Sequence, residues 1–177
     1  AYAQSKLDTE PIIKASKLDW TIFRLTAIMG VKNHKMTGLM FHMPLETQME
    51  IAMPEDTARA FTNGIDKREE LKSKVFNLAG GPLCRTTYKE FLGINFRING
   101  LGSLDFPPKT FAEKNFHCGI YVDGDELENI THFRRHSLDD YIRLNEAAIP
   151  TLQKFFASML RQPIKYFMKR QSLPLKA

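Results

Sequence analysis

Three short apolar runs limit what this chain can fold into more than any other feature. They are DWTIFRL (19–25), TQMEIAM (47–53) and KVFNLAGG (74–81). Each is long enough for a strand and too short for a packed helix. The first is apolar on both faces through Trp20, Ile22, Phe23 and Leu25, as in a strand buried in a parallel sheet. Helix signals alternate with these runs. Residues 2–17 read as a helix interrupted at Pro11, where a kink or a break is expected because the ring removes a donor and crowds the Leu7 carbonyl. Asp56 caps a helix to about Ile65, with Ala58, Phe61 and Ile65 on one face. Thr87 and Glu90 stand at capping-box spacing ahead of a helix to about Asn99. Asp123 with Glu126, and Ser137 with Asp140, repeat the device. Pro150 breaks or restarts the last helical stretch. The Met-rich stretch between residues 26 and 46 reads as irregular. This order predicts an α/β fold.

At 177 residues, 43% of them hydrophobic, the chain can bury a core. No apolar run reaches the roughly 18–20 residues that span a bilayer. The net charge of +5 is unevenly placed. Residues 1–149 hold 19 Lys/Arg against all 20 Asp/Glu, whereas residues 150–177 hold six Lys/Arg and no acid. A near-neutral body argues against nucleic acid as a partner. The basic tail, interleaved with Ile164, Tyr166, Phe167, Met168 and Leu173, has two readings. It lies on an anionic membrane surface, or it packs a few apolar side chains against the body. No secretory signal is read at the start, so the two cysteines, Cys84 and Cys118, are expected as free thiols in the cytoplasm.

Tyr2 and Lys6 are spaced i, i+4 in the opening AYAQSKLDTE. Alone, the spacing is a weak signal that reads as a helix face whose aromatic and lysine never meet a substrate. Its surroundings are more specific. DWTIFRL follows, with Arg24 near its end and Gly30 six residues later; then come EIAMPEDTARA, VFNLAGG, TTYKEF and HFRRHSLDDYI. Over about residues 1–145 this order resembles the C-terminal half of the extended short-chain dehydrogenase/reductases, the NAD-dependent epimerase/dehydratase family. The resemblance implies a Rossmann-type fold with a small substrate lobe, and hydride transfer on a sugar nucleotide or a related hydroxyl or carbonyl compound. It implies NAD or NADP as cofactor. Tyr2 would be the general acid/base and Lys6 its electrostatic partner and a ribose ligand. The chemistry asks for these types: a tyrosine of pKa about 10 is a poor base at neutral pH until a nearby ammonium stabilises its phenolate. Leu25, Thr26 and Ile28 would pass close to the nicotinamide.

The resemblance also implies what stands elsewhere. Nucleotide-sugar members carry Asn where this chain has Ala27, which points toward a different or divergent substrate. The glycine-rich dinucleotide loop and the third catalytic hydroxyl precede the tyrosine in the family and are absent from these residues. The chain therefore reads as a fragment with little NAD affinity of its own, completed by a missing N-terminal half or a partner chain. A homodimer is implied by analogy. The alternative is a non-catalytic module of the same fold, at a membrane surface through its tail.

Residues 1–80 are expected in the nucleotide-binding domain, with 31–46 contributing to the substrate lobe. Residues 81–149 complete that lobe, and 150–177 form the basic tail. No metal site is expected. His132 and His136 lack a third ligand, His117–Cys118 stands alone, and DGDELE is explained by capping.

Overall fold

The computed structural model describes residues 2–33, 36–114 and 118–176, with the backbone alone for Tyr2 and Ala3. The chain begins with α1 (Tyr2–Lys14), β1 (Thr21–Leu25), the two-residue β2 (Ala27–Ile28) and β3 (Gln48–Ala52). Next come α2 (Pro54–Ile65), α3 (Arg68–Leu71), β4 (Lys74–Leu78) and β5 (Arg85–Thr87). Five helices follow: α4 (Tyr88–Ile98), α5 (Asp125–Thr131), α6 (Leu138–Ala148), α7 (Thr151–Met159) and α8 (Arg161–Lys169). β1 and β4 pair in parallel, with Thr21 opposite Lys74 and Leu25 opposite Leu78. β3 forms the centre of a second, mixed sheet, parallel to β2 and antiparallel to β5. The expected α/β class is present.

β3 separates two cores. Strand alternation sends Ile51 and Met53 into a cluster with Phe41, Phe91, Phe96 and Tyr141. Ala52, between them, joins a smaller cluster with Ala60, Phe76, Leu78, Leu127 and Phe133. Two capping boxes stand as the sequence indicates, Thr87 with Glu90 on α4 and Ser137 with Asp140 on α6. Helix α6 ends before Pro150, and α7 begins just after it.

Five expectations are corrected. Helix α1 does not break at Pro11; it continues to Lys14, and the Ala15 N–H reaches the Pro11 carbonyl at 2.9 Å. Only about one turn follows the ring, so a single lost bond is tolerated near the helix end. β1 is not buried on both faces. It pairs along one edge only among the described residues, Ile22 and Phe23 are half-buried, and Leu25 is 45% exposed. Asp56 is no cap: α2 starts from Met53 with Pro54 as its first residue, and Asp56 lies within the first turn, fully buried. The buried side of α2 is therefore that of Asp56 and Ala60, which turns Phe61 and Ile65 outward. Asp123 likewise does not cap α5 through its side chain, which binds Asn77 instead.

The buried Asp56 is an anchor. Its carboxylate accepts the backbone N–H groups of Arg135 and His136 at 2.9 and 3.0 Å, the His136 imidazole Nδ1 lies at 2.7 Å, and Arg59 donates at 2.6 Å. Burial pushes this carboxyl up, but the hydrogen bonds more than offset it and hold it below the usual range. The segment leading into α6 is thereby pinned to α2.

Candidate functional site

In open α/β sheets, ligands sit outside the carboxyl ends of the parallel strands. Here those ends are Leu25–Thr26 after β1 and Ala79–Gly80–Gly81 after β4. Helix α1 is docked beside the first of them by one bidentate pair. The Glu10 carboxylate accepts Arg24 Nε at 2.7 Å and Nη2 at 2.8 Å, with Lys14 at 3.4 Å. Arg24 is the main cause that lowers the Glu10 carboxyl from its ordinary 4.5 to about 2. Tyr2, Lys6 and Glu10 follow one another at i, i+4, so they lie along one side of the helix. The face that grips β1 through Glu10 is thus the one carrying positions 6 and 2, one and two turns earlier. Lys6 is exposed. The Tyr2 side chain lies outside the described residues.

The acid response of this joint is predictable. A carboxyl whose pKa is depressed by folding contributes fully above its unfolded value and loses that contribution as pH falls toward the folded value. Docking of α1 should therefore hold above about pH 4.5 and be lost toward pH 2. Hydrogen-exchange mass spectrometry over residues 5–14 would follow it. Arg24→Ala should lower α1 protection already at pH 7 by roughly fivefold, the scale of a solvent-screened pair worth about 1 kcal/mol. Unchanged protection in that variant would remove the pair as the joint.

The residues after Arg24 are placed as follows. Leu25 closes β1 and is half exposed. Thr26 joins the two sheets: its N–H donates to the Leu78 carbonyl at 3.0 Å and its hydroxyl donates to the Glu50 carbonyl. That hydroxyl is therefore committed within the fold. Ile28 lies in β2 opposite Ala52 and packs on the smaller core. Ala27 lies opposite Ile51 and packs on the larger one. Gly30 lies against Pro54, whose ring carbon would stand 2.8 Å from an added Cβ, which explains the glycine at this position.

A polar cluster completes the strand ends; sequence reasoning placed none of its members in a site and read only Asp123, as a cap. Glu50 is fully buried; one carboxylate oxygen accepts the Gly81 N–H at 2.7 Å and the other accepts Arg85 Nε at 3.1 Å. Asn77, the register partner of Arg24, donates to Asp123 at 2.9 and 3.0 Å. Arg85 reaches the Tyr121 carbonyl at 3.3 Å. Arg134 donates to the carbonyls of Ala79 and Gly124 at 2.9 and 2.8 Å and pairs with Asp125. Together they clamp residues 121–125 beside the ends of β1 and β4. Burial raises the Tyr121 phenol, with Arg24 pulling the other way. The one available signal was a lone carboxylate inside the apolar run TQMEIAM.

Among the described residues no group of three His, Cys, Asp or Glu could hold a metal ion. His132 and His136 do not share a helix face: His132 is the left-handed cap of α5, and His136 precedes α6. His117 lies outside the described residues. Cys84 and Cys118 are free, and burial pushes the Cys84 thiol up to about 11. No helix among the described residues is long and apolar enough to cross a membrane.

The parallel pair, the mixed sheet fed by Ala27–Ile28 and the capped helices beyond match part of the fold of solved epimerases and of a short-chain dehydrogenase/reductase superfamily protein. A candidate epimerase from Burkholderia cenocepacia J2315 superposes with a TM-score of 0.62 at 21% identity, over 87% of this chain and 54% of that one. A short-chain dehydrogenase/reductase superfamily protein from Agrobacterium tumefaciens with bound NAD gives 0.56 at 14% identity, over 90% and 60%. The UDP-glucuronic acid 4-epimerase of Bacillus cereus, in complex with UDP-glucuronic acid and NAD, gives 0.54 at 12% identity, over 78% and 47%. The chain thus spans about half the length of the structures it matches. No family model matches it, and no curated protein does.

Proposed function

We propose that this chain is the catalytic-helix and substrate-lobe half of an NAD(P)-dependent epimerase, dehydratase or reductase. Tyr2 exchanges a proton with the substrate hydroxyl or carbonyl oxygen, and Lys6 stabilises the phenolate. The observation that supports this reading most is the Glu10–Arg24 pair, which turns the row of positions 2, 6 and 10 toward the strand whose end faces ligands in this fold class.

The residues present fit one end of the dinucleotide. Lys6 is exposed and can donate to ribose hydroxyls, and the segment from Leu25 to Ile28 offers backbone near the strand end. Thr26 contributes through backbone, since its hydroxyl is bonded to Glu50. The 177 residues contain no glycine-rich turn between strand and helix for the pyrophosphate, so that part of the site belongs to another segment or chain. When bound, the nicotinamide supplies hydride acceptance and donation. The chain's own part is to move the accompanying proton and to hold the substrate, a sugar nucleotide or a related hydroxyl or carbonyl compound. The methyl of Ala27 packs on the larger core and gives the substrate no polar group.

Lys6→Met in the whole protein tests the pairing. Loss of the ammonium should move the limb of the pH–rate profile that reports phenol ionisation upward by about 1–3 units. Turnover at neutral pH should fall more than about tenfold, and high pH should recover part of it. A limb that stays in place would remove Lys6 from the proton step. An active Tyr2→Phe variant would remove Tyr2 from the mechanism, and absence of turnover in the unaltered whole protein would favour the non-catalytic alternative.

A further inference from the structure

We propose that the outward faces of α7 and α8 form a docking surface for an anionic lipid bilayer. Helix α7 carries Leu152, Phe155, Phe156 and Met159 at i, i+3, i+4 and i+7, which places them in one row, and they are exposed by 66, 59, 52 and 66%. Leu160 follows at 53%. On α8, Tyr166 and Phe167 are exposed by 54 and 61%. A row of this kind left in water is the exception that marks an interaction surface.

The row is held outward by the rest of the same two helices. Ala157, Ile164 and Met168 pack on the larger core. The buried Lys165 amine pairs with Asp105 and donates to the Ser103 carbonyl at 2.7 Å. The Lys154 carbonyl lies so close to Gly100 that an added Cβ there would stand 2.4 Å from it. Past α8, the buried Ser172 hydroxyl donates to the Thr110 carbonyl at 2.6 Å. Rotating the apolar row inward would break all of these, so the exposure is a property of the docked helices.

Charge selects the occupant. Residues 150–177 contain no carboxylate, and Lys165 alone of their cations is ion-paired among the described residues. Lys154, Arg161, Lys169, Arg170 and Lys176 remain to meet an anionic partner. A second copy set face to face would oppose like charges. Lys154 donates to the Glu146 carbonyl and Lys169 lies over the Tyr166 ring, so neither has a carboxylate partner; aliphatic and aromatic side chains on helices with such cations match the headgroup–acyl boundary of an anionic leaflet. Each helix has nine residues, about 13 Å, so the pair lies along the surface and does not span it.

Vesicle flotation of the purified protein tests this. Phosphatidylcholine vesicles with about 30% phosphatidylserine should carry the protein up, phosphatidylcholine alone should not, and about 0.5 M salt should weaken the effect. Arg161→Glu with Arg170→Glu should weaken binding roughly thirtyfold or more, at about 1 kcal/mol per charge. Phe155→Ser with Phe156→Ser should abolish it, while Lys67→Glu with Lys89→Glu, on other elements, should leave it intact. Circular dichroism melts matching the parent confirm that both tail variants fold. Absent flotation, equal flotation on both vesicle types, or tail variants that fold and float like the parent would overturn the proposal. So would loss of a dimer in sedimentation velocity by the same variants with no change on vesicles.

Discussion

Tyr2→Phe is expected to lower turnover of the whole protein by roughly 10²–10⁴-fold, the usual scale for removing a positioned general acid/base. Affinity for NAD(P), followed by nicotinamide fluorescence or calorimetry, should hardly change, because the ring and the helix remain and only the transferable proton is lost. Two of the other described phenols are poor substitutes. Tyr121 stands at the strand ends, but burial raises its phenol and its segment is clamped by Arg85 and Arg134. Tyr88 is buried, its phenol is raised by that burial, and its hydroxyl donates to the Met40 carbonyl at 3.0 Å. The Lys6→Met profile supplies the complementary half: there the phenol survives and alkali restores part of the rate, whereas Tyr2→Phe gains nothing from alkali. Retained turnover in Tyr2→Phe would remove Tyr2 from the proton step and leave α1 without a proton-transfer role.

Gly80→Ala should be strongly destabilising. An alanine Cβ at position 80 would stand 2.3 Å from the Ile51 carbonyl oxygen, 2.6 Å from Cys84 Sγ and 2.7 Å from Cys84 Cβ. The nearest atom is backbone of the fully buried Ile51, and that same oxygen accepts the Gly80 N–H at 3.0 Å. Relief of the clash therefore breaks the bond. It would also shift Gly81, whose N–H serves buried Glu50 and whose φ of +84° suits glycine. The cost should be about 3 kcal/mol, at the upper end for overpacking. For a chain of this size that is a fall of roughly 10 °C in melting temperature. Gly119→Ala is the control, since an added Cβ there meets nothing within 4 Å. Thermal melts of the two by circular dichroism would decide the matter; equal midpoints would mean that the loop after β4 is looser than its contacts indicate.

Much of the fold was legible because local signals carried it. The apolar runs at 19–25, 47–53 and 74–81 each contain a strand. The boxes at Thr87 and Ser137 open helices because a hydroxyl and a carboxylate three residues apart satisfy orphan N–H groups wherever the chain goes next. The same reasoning failed where a local signal competed with a distant partner. Asp56 and Asp123 both resemble caps in sequence. One is taken by backbone groups about eighty residues away, the other by Asn77 across the strand end. The face of α2 also went the wrong way, because burying Asp56 and Ala60 left Phe61 and Ile65 outside.

By itself, then, the order of residues determined the alternation of strands and helices, the Tyr2–Lys6 spacing, and the concentration of charge in the last 28 residues. Those properties depend on neighbours within a few positions. Tertiary structure alone decided that Glu10 holds Arg24, that Glu50 lies buried beneath Gly81 and Arg85, and that the aromatic row of α7 faces out. Each of these joins groups 14 to 35 residues apart or depends on which side of a helix the body covers. Such choices follow from desolvation and packing among surfaces that exist only once the chain has closed on itself.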